Sequence, residues 1–219
     1  MLFAEEHAGW LLVLHTICAG ALVAATTHLV VWMRGFARSR PGRIRAVRKF
    51  AFICAALYVS AMILGNLMYP VYKVRVRVEY LEQPGAVVRD GELRREVAAR
   101  ALESHRALMS AGGQDENGPA PGLEGVAGAA GAAERERAAE RPRRAAKLAR
   151  WFDVKEHWAA LGCALMLGCA LALRAWDPKR HSAAVAPILF LMALGSCAAT
   201  WLAAIVGIAV SGYRAVGGL

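Results

Sequence analysis

The chain has 219 residues, of which 57% are apolar and 20% charged, and its formal net charge is +10. In a soluble protein this charge would suggest nucleic-acid binding, but here the apolar and charged residues form separate blocks, as in membrane spans joined by polar loops. The composition therefore argues against an ordinary soluble domain and predicts an all-α membrane protein, a bundle of four transmembrane helices.

Four apolar blocks are long enough, or nearly long enough, to cross a hydrocarbon core of about 30 Å. They cover residues 8 to 33, 50 to 71, 158 to 173 and 183 to 210. The third block is the shortest, and Arg174 extends its usable length if the side chain reaches the headgroups. The predicted organisation is therefore two helices in residues 1 to 71, a long external loop in residues 72 to 156, and two helices in residues 157 to 219.

Basic residues are concentrated in the two short connections. The first connection contains no acid and seven basic residues: Arg34, Arg38, Arg40, Arg43, Arg45, Arg48 and Lys49. The last connection contains Arg174, Lys179 and Arg180 against Asp177. The positive-inside rule places both connections in the cytoplasm, with both termini and the long loop extracytoplasmic. The richness in Ala, Arg and Gly favours a bacterial inner membrane, where these basic loops contact anionic lipid and not nucleic acid.

The first part of the long loop, residues 72 to 80, alternates between apolar and charged side chains. This period of two predicts an amphipathic strand. A lone strand has unpaired backbone edges, so we expect it to bind a membrane-protein partner or a second copy of the chain. The partner-binding residues would be Tyr72, Arg75, Arg77 and Tyr80. The alternative is that this segment extends the second helix past Pro70.

The rest of the long loop falls into three parts. Residues 91 to 110 are rich in Glu, Arg, Ala and Leu and predict a polar surface helix. Residues 111 to 133 are almost wholly Gly, Ala, Pro and acid, which predicts a disordered linker. Residues 134 to 155 are again helix-prone, with a break at Pro142, and lead into the third span.

Two histidines, His15 and His28, lie in the first span. An α-helix separates them by roughly 20 Å and turns them about 140° apart. His157 and His181 stand at matching depths before the third and fourth spans, so the chain offers two layers of two histidines. This layout resembles in outline the membrane dihaem cytochromes b. The resemblance covers four residues and implies haem b held by His15 with His157 and by His28 with His181. The alternative is structural: His15 hydrogen-bonded to Asn66 or Tyr69 across the bundle.

The most polar segment beside a span is residues 151 to 158. Asp153, Glu156 and His157 lie within about one helical turn, a combination that suits a divalent metal or a proton relay. The alternative is a solvated helix start whose aromatic residues lie at the membrane interface. In the third span itself, small residues recur at Ala160, Ala164 and Gly168 and predict a close helix contact.

The chain lacks a phosphate-binding glycine loop, a nucleophile elbow, a CxxCH site and an HExxH motif. Three functions stay open. The first is a non-catalytic subunit of a membrane complex, which presents the external loop to a partner. The second is a b-type haem electron carrier that interacts with quinone. The third is transport of a proton or metal ion through His15, Asn66 and the Asp153, Glu156 and His157 cluster.

Overall fold

The protein is described by a computed structural model that covers residues 6 to 40, 43 to 111, 123 to 180, 182 and 184 to 213. In chain order its elements are α1 (Ala8–Met33), a 3₁₀ turn (Phe36–Arg38), α2 (Ile44–Val71), a π-helix (Tyr72–Leu81), α3 (Pro84–Ala111), α4 (Leu123–Ala175) and α5 (Val185–Ser211). No strand occurs in these ranges. The predicted all-α class is confirmed.

Four helical segments are long and apolar enough to cross a membrane. They are Ala8–Arg38, Ile44–Leu81, Ala139–Ala175 and Val185–Ser211. The chain divides into two compact units. The first unit, Met1–Val76 with Leu148–Leu219, contains the apolar spans and is the membrane bundle. The second unit, Arg77–Lys147, contains α3 and the first part of α4.

The core of the bundle is made by one face of each helix. On α4 the buried face follows Gly162, Met166, Cys169 and Leu173, at alternating four- and three-residue spacings that keep one stripe turned inward. Of the predicted contact face of the third span, Gly168 does lie close to α5, where a Cβ would be 2.9 Å from Cε of Met192, whereas Ala160 and Ala164 are exposed. Gly162 packs instead against α2 and α5, where a Cβ would overlap the Tyr58 hydroxyl and lie 2.8 Å from the Ala199 Cβ.

Arg48 joins two helices at the end of the bundle that holds the short basic connections, which we call the basic end. Its Nε donates a hydrogen bond of 2.7 Å to the Leu173 carbonyl, and Nη2 donates to the Trp176 carbonyl. These carbonyls belong to the last turn of α4 and the residue after it, where the helix leaves acceptors unsatisfied and carries partial negative charge. Arg48 of α2 is therefore the C-terminal cap of α4.

The predicted strand at residues 72 to 80 is wrong. The segment Tyr72–Leu81 is a π-helix that follows α2 directly, and Pro70 lies inside α2. A helix satisfies its backbone groups within one segment, whereas an isolated strand needs a neighbour. Tyr72, Val76 and Tyr80 are buried at four-residue spacing, while Val78 is 47% exposed. The alternative, extension of the second helix, is confirmed.

The long loop also differs from prediction in its last part. The helix α4 runs without interruption from Leu123 to Ala175 with Pro142 inside it, so the predicted break at Pro142 is wrong. Proline removes one backbone donor, and the neighbouring turns still form. Residues 123 to 133, predicted as part of a linker, are helical. Residues 112 to 122 of that linker lie outside the described residues.

Candidate functional site

His15 lies near the end of the bundle where α1 begins and α5 ends, which we call the terminal end. Its imidazole packs against α2, where a Cβ on Gly65 would lie 3.5 Å from Cε1 of His15. The predicted partner Asn66 is exposed. The buried Nδ1 of His15 has no hydrogen-bond partner. The imidazole also interacts with the backbone of Ala61 on α2, and a hydrogen bond of His15 to Asn66 or Tyr69 stays a prediction.

Lys155 of α4 reaches the same end of the bundle. Its Nζ lies 4.7 Å from the centroid of the Phe152 ring. A Cβ on Gly207 of α5 would lie 3.3 Å from this Nζ, so the absence of a side chain there leaves room for the ammonium. The charge of Lys155 acts on His15. His15, Phe152, Lys155 and Gly207 together form what we call the Lys155 cluster.

The aromatic side of the Lys155 cluster is fixed by a stack. Phe152 and Tyr72 have ring centroids 3.6 Å apart and planes 18° from parallel. Tyr72 is buried, so the ring beneath the ammonium is held on both sides. A cation over an aromatic face is attracted by the ring quadrupole, by about 0.5 to 2 kcal/mol. The stack therefore positions Lys155 and offsets part of its charge.

No carboxylate in the described ranges forms an ion pair with Lys155. Glu156 is the acid whose charge acts on it, but consecutive helical residues point about 100° apart. The neighbouring His15 supplies no negative charge. Among the described residues, the half-buried ammonium of Lys155 therefore has no bonded anion.

The predicted metal ligands lie on the same part of α4. His157 is exposed, and its Nδ1 donates a hydrogen bond of 2.8 Å to the carbonyl of Asp153. In the part of the chain that the structure describes, no three His, Cys, Asp or Glu side chains are placed to hold a metal ion. A metal role for Asp153, Glu156 and His157 stays a prediction.

His28 lies on the outer surface of the bundle, in an aromatic cluster. Its ring centroid is 4.6 Å from that of Trp32 and 5.6 Å from that of Phe50. Its predicted haem partner, His181, lies outside the described residues. The neighbouring Thr27 accepts a hydrogen bond of 3.0 Å from the indole Nε1 of Trp201. His28 is thus an aromatic contact residue at the bundle surface, and its haem role stays a prediction.

A small polar layer crosses the middle of the bundle. Ser196 donates a buried hydrogen bond of 2.8 Å to the carbonyl of Gly162, and Thr200 donates one of 2.8 Å to the carbonyl of Ser196. The Tyr58 hydroxyl faces this layer beside Thr200. Hydrogen bonds of this kind between apolar helices fix which faces meet. The layer explains packing and holds no group suited to chemistry.

The second unit is organised around the carboxylate of Asp90. Oδ2 accepts hydrogen bonds from the Tyr80 hydroxyl at 2.7 Å and from Arg94 Nε at 2.9 Å, and Arg141 Nη2 lies 3.4 Å away. This network joins the π-helix, α3 and the first part of α4. Asp90 was not singled out in the sequence, because its partners come from three separate segments.

The predicted partner-binding residues do not form one exposed surface. Tyr72 and Tyr80 are both buried, and Arg77 forms an ion pair of 2.7 Å with Glu82. Of the four, Arg75 is exposed. The helical conformation explains this outcome, because four-residue spacing turns both tyrosines inward.

An exposed apolar surface occurs instead on α3, in the second unit. Leu93, Val97 and Leu108 are 60%, 58% and 72% exposed. At about 100° per residue, the three side chains fall within about 60° of one another on the helix. We call these three residues the α3 stripe. The helix α3 is not among the apolar spans.

The fold and its spans define the class of this molecule: an all-α integral membrane protein with four spanning helices and a separate helical unit. No family model, curated protein or solved structure matches the chain. The apolar helices alone therefore establish the class.

Besides Asp90, sequence reasoning missed Lys155, because this lysine stands in a run of polar side chains typical of a solvated helix start. The sequence nevertheless contains a pattern that indicates this inward position. Starting from the buried Met166 and Gly162, steps of three and four residues toward the start of α4 reach positions 159 and 155. The core stripe of α4 therefore ends on a lysine.

Proposed function

We propose that this chain is a non-catalytic subunit of a bacterial inner-membrane complex and that the α3 stripe binds its protein partner. The observation that carries the proposal is the stripe itself, three large apolar side chains exposed on one face of a helix outside the spans. A stripe of this width fits the apolar face of a partner helix. A patch of exposed apolar side chains often marks a surface that binds another protein.

Charged residues beside the α3 stripe already form ion pairs within the chain. Arg94 pairs with Asp90, and Arg100 pairs with Glu96 at 2.6 Å. Exposed pairs of this kind contribute little stability, but they neutralise charge beside the apolar residues. A partner can then bury the α3 stripe without desolvating an isolated charge.

The test is site-specific photo-crosslinking in native membranes. A photoreactive amino acid at Val97 should crosslink to a distinct protein. The same amino acid at Ala99, exposed and about 200° around the helix, should not crosslink to it. Crosslinks from Val97 to another molecule of the same chain would show that the partner is a second copy. Absence of a specific product at Val97 would refute the proposed surface.

A binding measurement then tests the contribution of the stripe. We expect Val97→Asp to weaken co-purification of the crosslinked protein at least about tenfold, since burying an unpaired carboxylate is costly. Ala99→Asp is the matched control and should retain it. Both positions are exposed, so the thermal midpoint of each variant should stay at the wild-type value.

Haem b binding by His15 and His157, with electron transfer to or from quinone, is the second candidate. One observation favours it. The hydrogen bond from Nδ1 of His157 to the Asp153 carbonyl fixes the tautomer and leaves Nε2 as the nitrogen able to bind a metal, an arrangement common at metal-ligating histidines. A reduced-minus-oxidised visible spectrum of protein from haem-replete cells tests it: haem bands should disappear in His157→Ala, and a flat wild-type spectrum would exclude it.

A further inference from the structure

At the terminal end of the bundle, the ammonium of Lys155 forms no ion pair with a carboxylate of the residues that the structure describes. Lys155 reaches inward from α4 to the face of Phe152 and to the backbone of Gly207. Its charge acts on His15 of α1, whose buried Nδ1 has no hydrogen-bond partner. Residues of α1, α4 and α5, all in the first compact unit, thus lie around the ammonium of Lys155.

Such an arrangement costs stability unless something compensates it. A partly desolvated ammonium loses hydration, and the attraction of one aromatic face recovers only part of that loss. Ionisable side chains in spanning helices are expensive and usually serve a function. A methionine of similar length would fill the same space at lower cost. The position of Lys155 therefore needs a reason beyond packing.

We propose that the Lys155 cluster binds one anionic group, a phosphate or a carboxylate. Lys155 provides the charge and a hydrogen-bond donor, and the imidazole of His15 lies within the range of that charge. Gly207 leaves the space that the ammonium occupies, and the stack of Phe152 on Tyr72 fixes its position. This binding site is independent of the α3 stripe.

The depth of the site is consistent with two sources for the anion. Trp151 and Trp158 lie one turn on either side of Lys155 and are exposed, and tryptophan is enriched where membrane and water meet. Lys155 is therefore at the level of the headgroups but faces the interior of the bundle. The anionic group can come from a phospholipid headgroup or from a small soluble anion.

Thermal unfolding of the purified full-length protein tests the proposal and distinguishes the sources. The probes are phosphatidylglycerol, phosphatidylcholine as the lipid without net charge, and inorganic phosphate. If a lipid occupies the site, phosphatidylglycerol raises the midpoint more than phosphatidylcholine does. If a soluble anion occupies it, inorganic phosphate alone raises the midpoint in detergent. An equal response to every probe overturns the proposal.

Three substitutions assign the effect to the cluster. Lys155→Met should weaken binding of the effective probe about tenfold or more, as expected when a charge-assisted hydrogen bond is lost. Lys155→Arg keeps the charge and should retain most of the affinity. Lys147→Met removes an exposed lysine two turns earlier on α4 and should bind like wild type. A Lys155→Met protein with wild-type affinity overturns the proposal.

A structural role for Lys155 predicts a different result without any probe. If Lys155 only stabilises the bundle, Lys155→Met lowers the midpoint of the lipid-free protein. If Lys155 is retained for binding, the same variant unfolds at an equal or higher temperature. If Lys155→Met fails to fold, binding can be measured in the wild-type protein by the rate at which a water-soluble reagent acylates its lysines. The effective probe should slow labelling of Lys155 relative to Lys147, and an unchanged ratio overturns the proposal.

Discussion

The guanidinium of Arg48 binds carbonyls that lie 125 and 128 residues later in the chain. The composition shows only that Arg48 belongs to a basic connection. No residue near it in sequence indicates that the end of α4 lies beside it in the fold. The same limit applies to Lys155, whose neighbours come from α1 and α5. Polar contacts between distant helices depend on tertiary packing, which local patterns do not record.

We predict that Arg48→Met destabilises the bundle by about 1 to 3 kcal/mol, because two carbonyls at the end of α4 lose a charged donor. Chemical denaturation in detergent, followed by circular dichroism, measures the change. Arg45→Met is the matched control. Arg45 is exposed on the same helix, and its removal should change the free energy of unfolding by less than about 0.5 kcal/mol. Equal effects of the two substitutions would contradict the capping role.

Gly162 sets how closely α4 approaches its neighbours. A Cβ there would overlap the Tyr58 hydroxyl and crowd the Cβ of Ala199. We expect Gly162→Ala to destabilise the bundle by about 1 to 3 kcal/mol through overpacking. Gly20→Ala is the control, since its new Cβ would meet no atom within 4 Å, and it should be neutral or slightly stabilising. The thermal midpoints of both variants measure the effect. Adding Tyr58→Phe to Gly162→Ala should restore part of the lost stability, because the hydroxyl that the new Cβ overlaps is then absent.

At the scale of single elements, the first span was predicted correctly from the sequence, whereas the segment that follows α2 was not. The first span was predicted to the residue, as Ala8–Met33, because an uninterrupted apolar run must be hydrogen-bonded within itself in a bilayer. Residues 72 to 80 were predicted as a strand because their side chains alternate. Alternating side chains do not by themselves determine the backbone conformation. Because α2 continues directly into this segment, its backbone remains helical.

The helical register of Tyr72–Leu81 makes a prediction that a strand would not. In a strand, Val76 and Val78 lie on the same face, but here Val76 is buried and Val78 is exposed. Val76→Asp should therefore destabilise the protein by about 2 kcal/mol or more, and Val78→Asp by less than about 0.5 kcal/mol. Denaturation midpoints of the two variants decide between the registers, and similar losses would favour the strand.

At the scale of the whole molecule, the number of spans follows from hydropathy, while their direction follows from charge. Both short connections are basic, and we propose that they face the cytoplasm, with both termini on the other side. The second unit was not predictable as a compact body, since Asp90 brings together residues of three segments.

Reporter fusions test the proposed orientation. Alkaline phosphatase joined after Tyr213 should be active, because that enzyme folds only outside the cytoplasm, and the same reporter joined after Ser39 should be inactive. The reverse pattern would contradict the assignment by the positive-inside rule. Replacing Arg34, Arg38 and Arg40 with Gln should produce a mixed population, since the charge bias that orients the first two spans becomes smaller.

The capping of α4 by Arg48 also constrains how the protein is made. Synthesis proceeds from the N-terminus, so α1 and α2 leave the ribosome while the acceptors at Leu173 and Trp176 do not yet exist. During that interval water or headgroups must solvate the guanidinium, and the basic end can close only after α4 has been inserted. A chain terminated before residue 173 would keep Arg48 unmatched, which gives membrane quality control a chemical difference between unfinished and finished molecules.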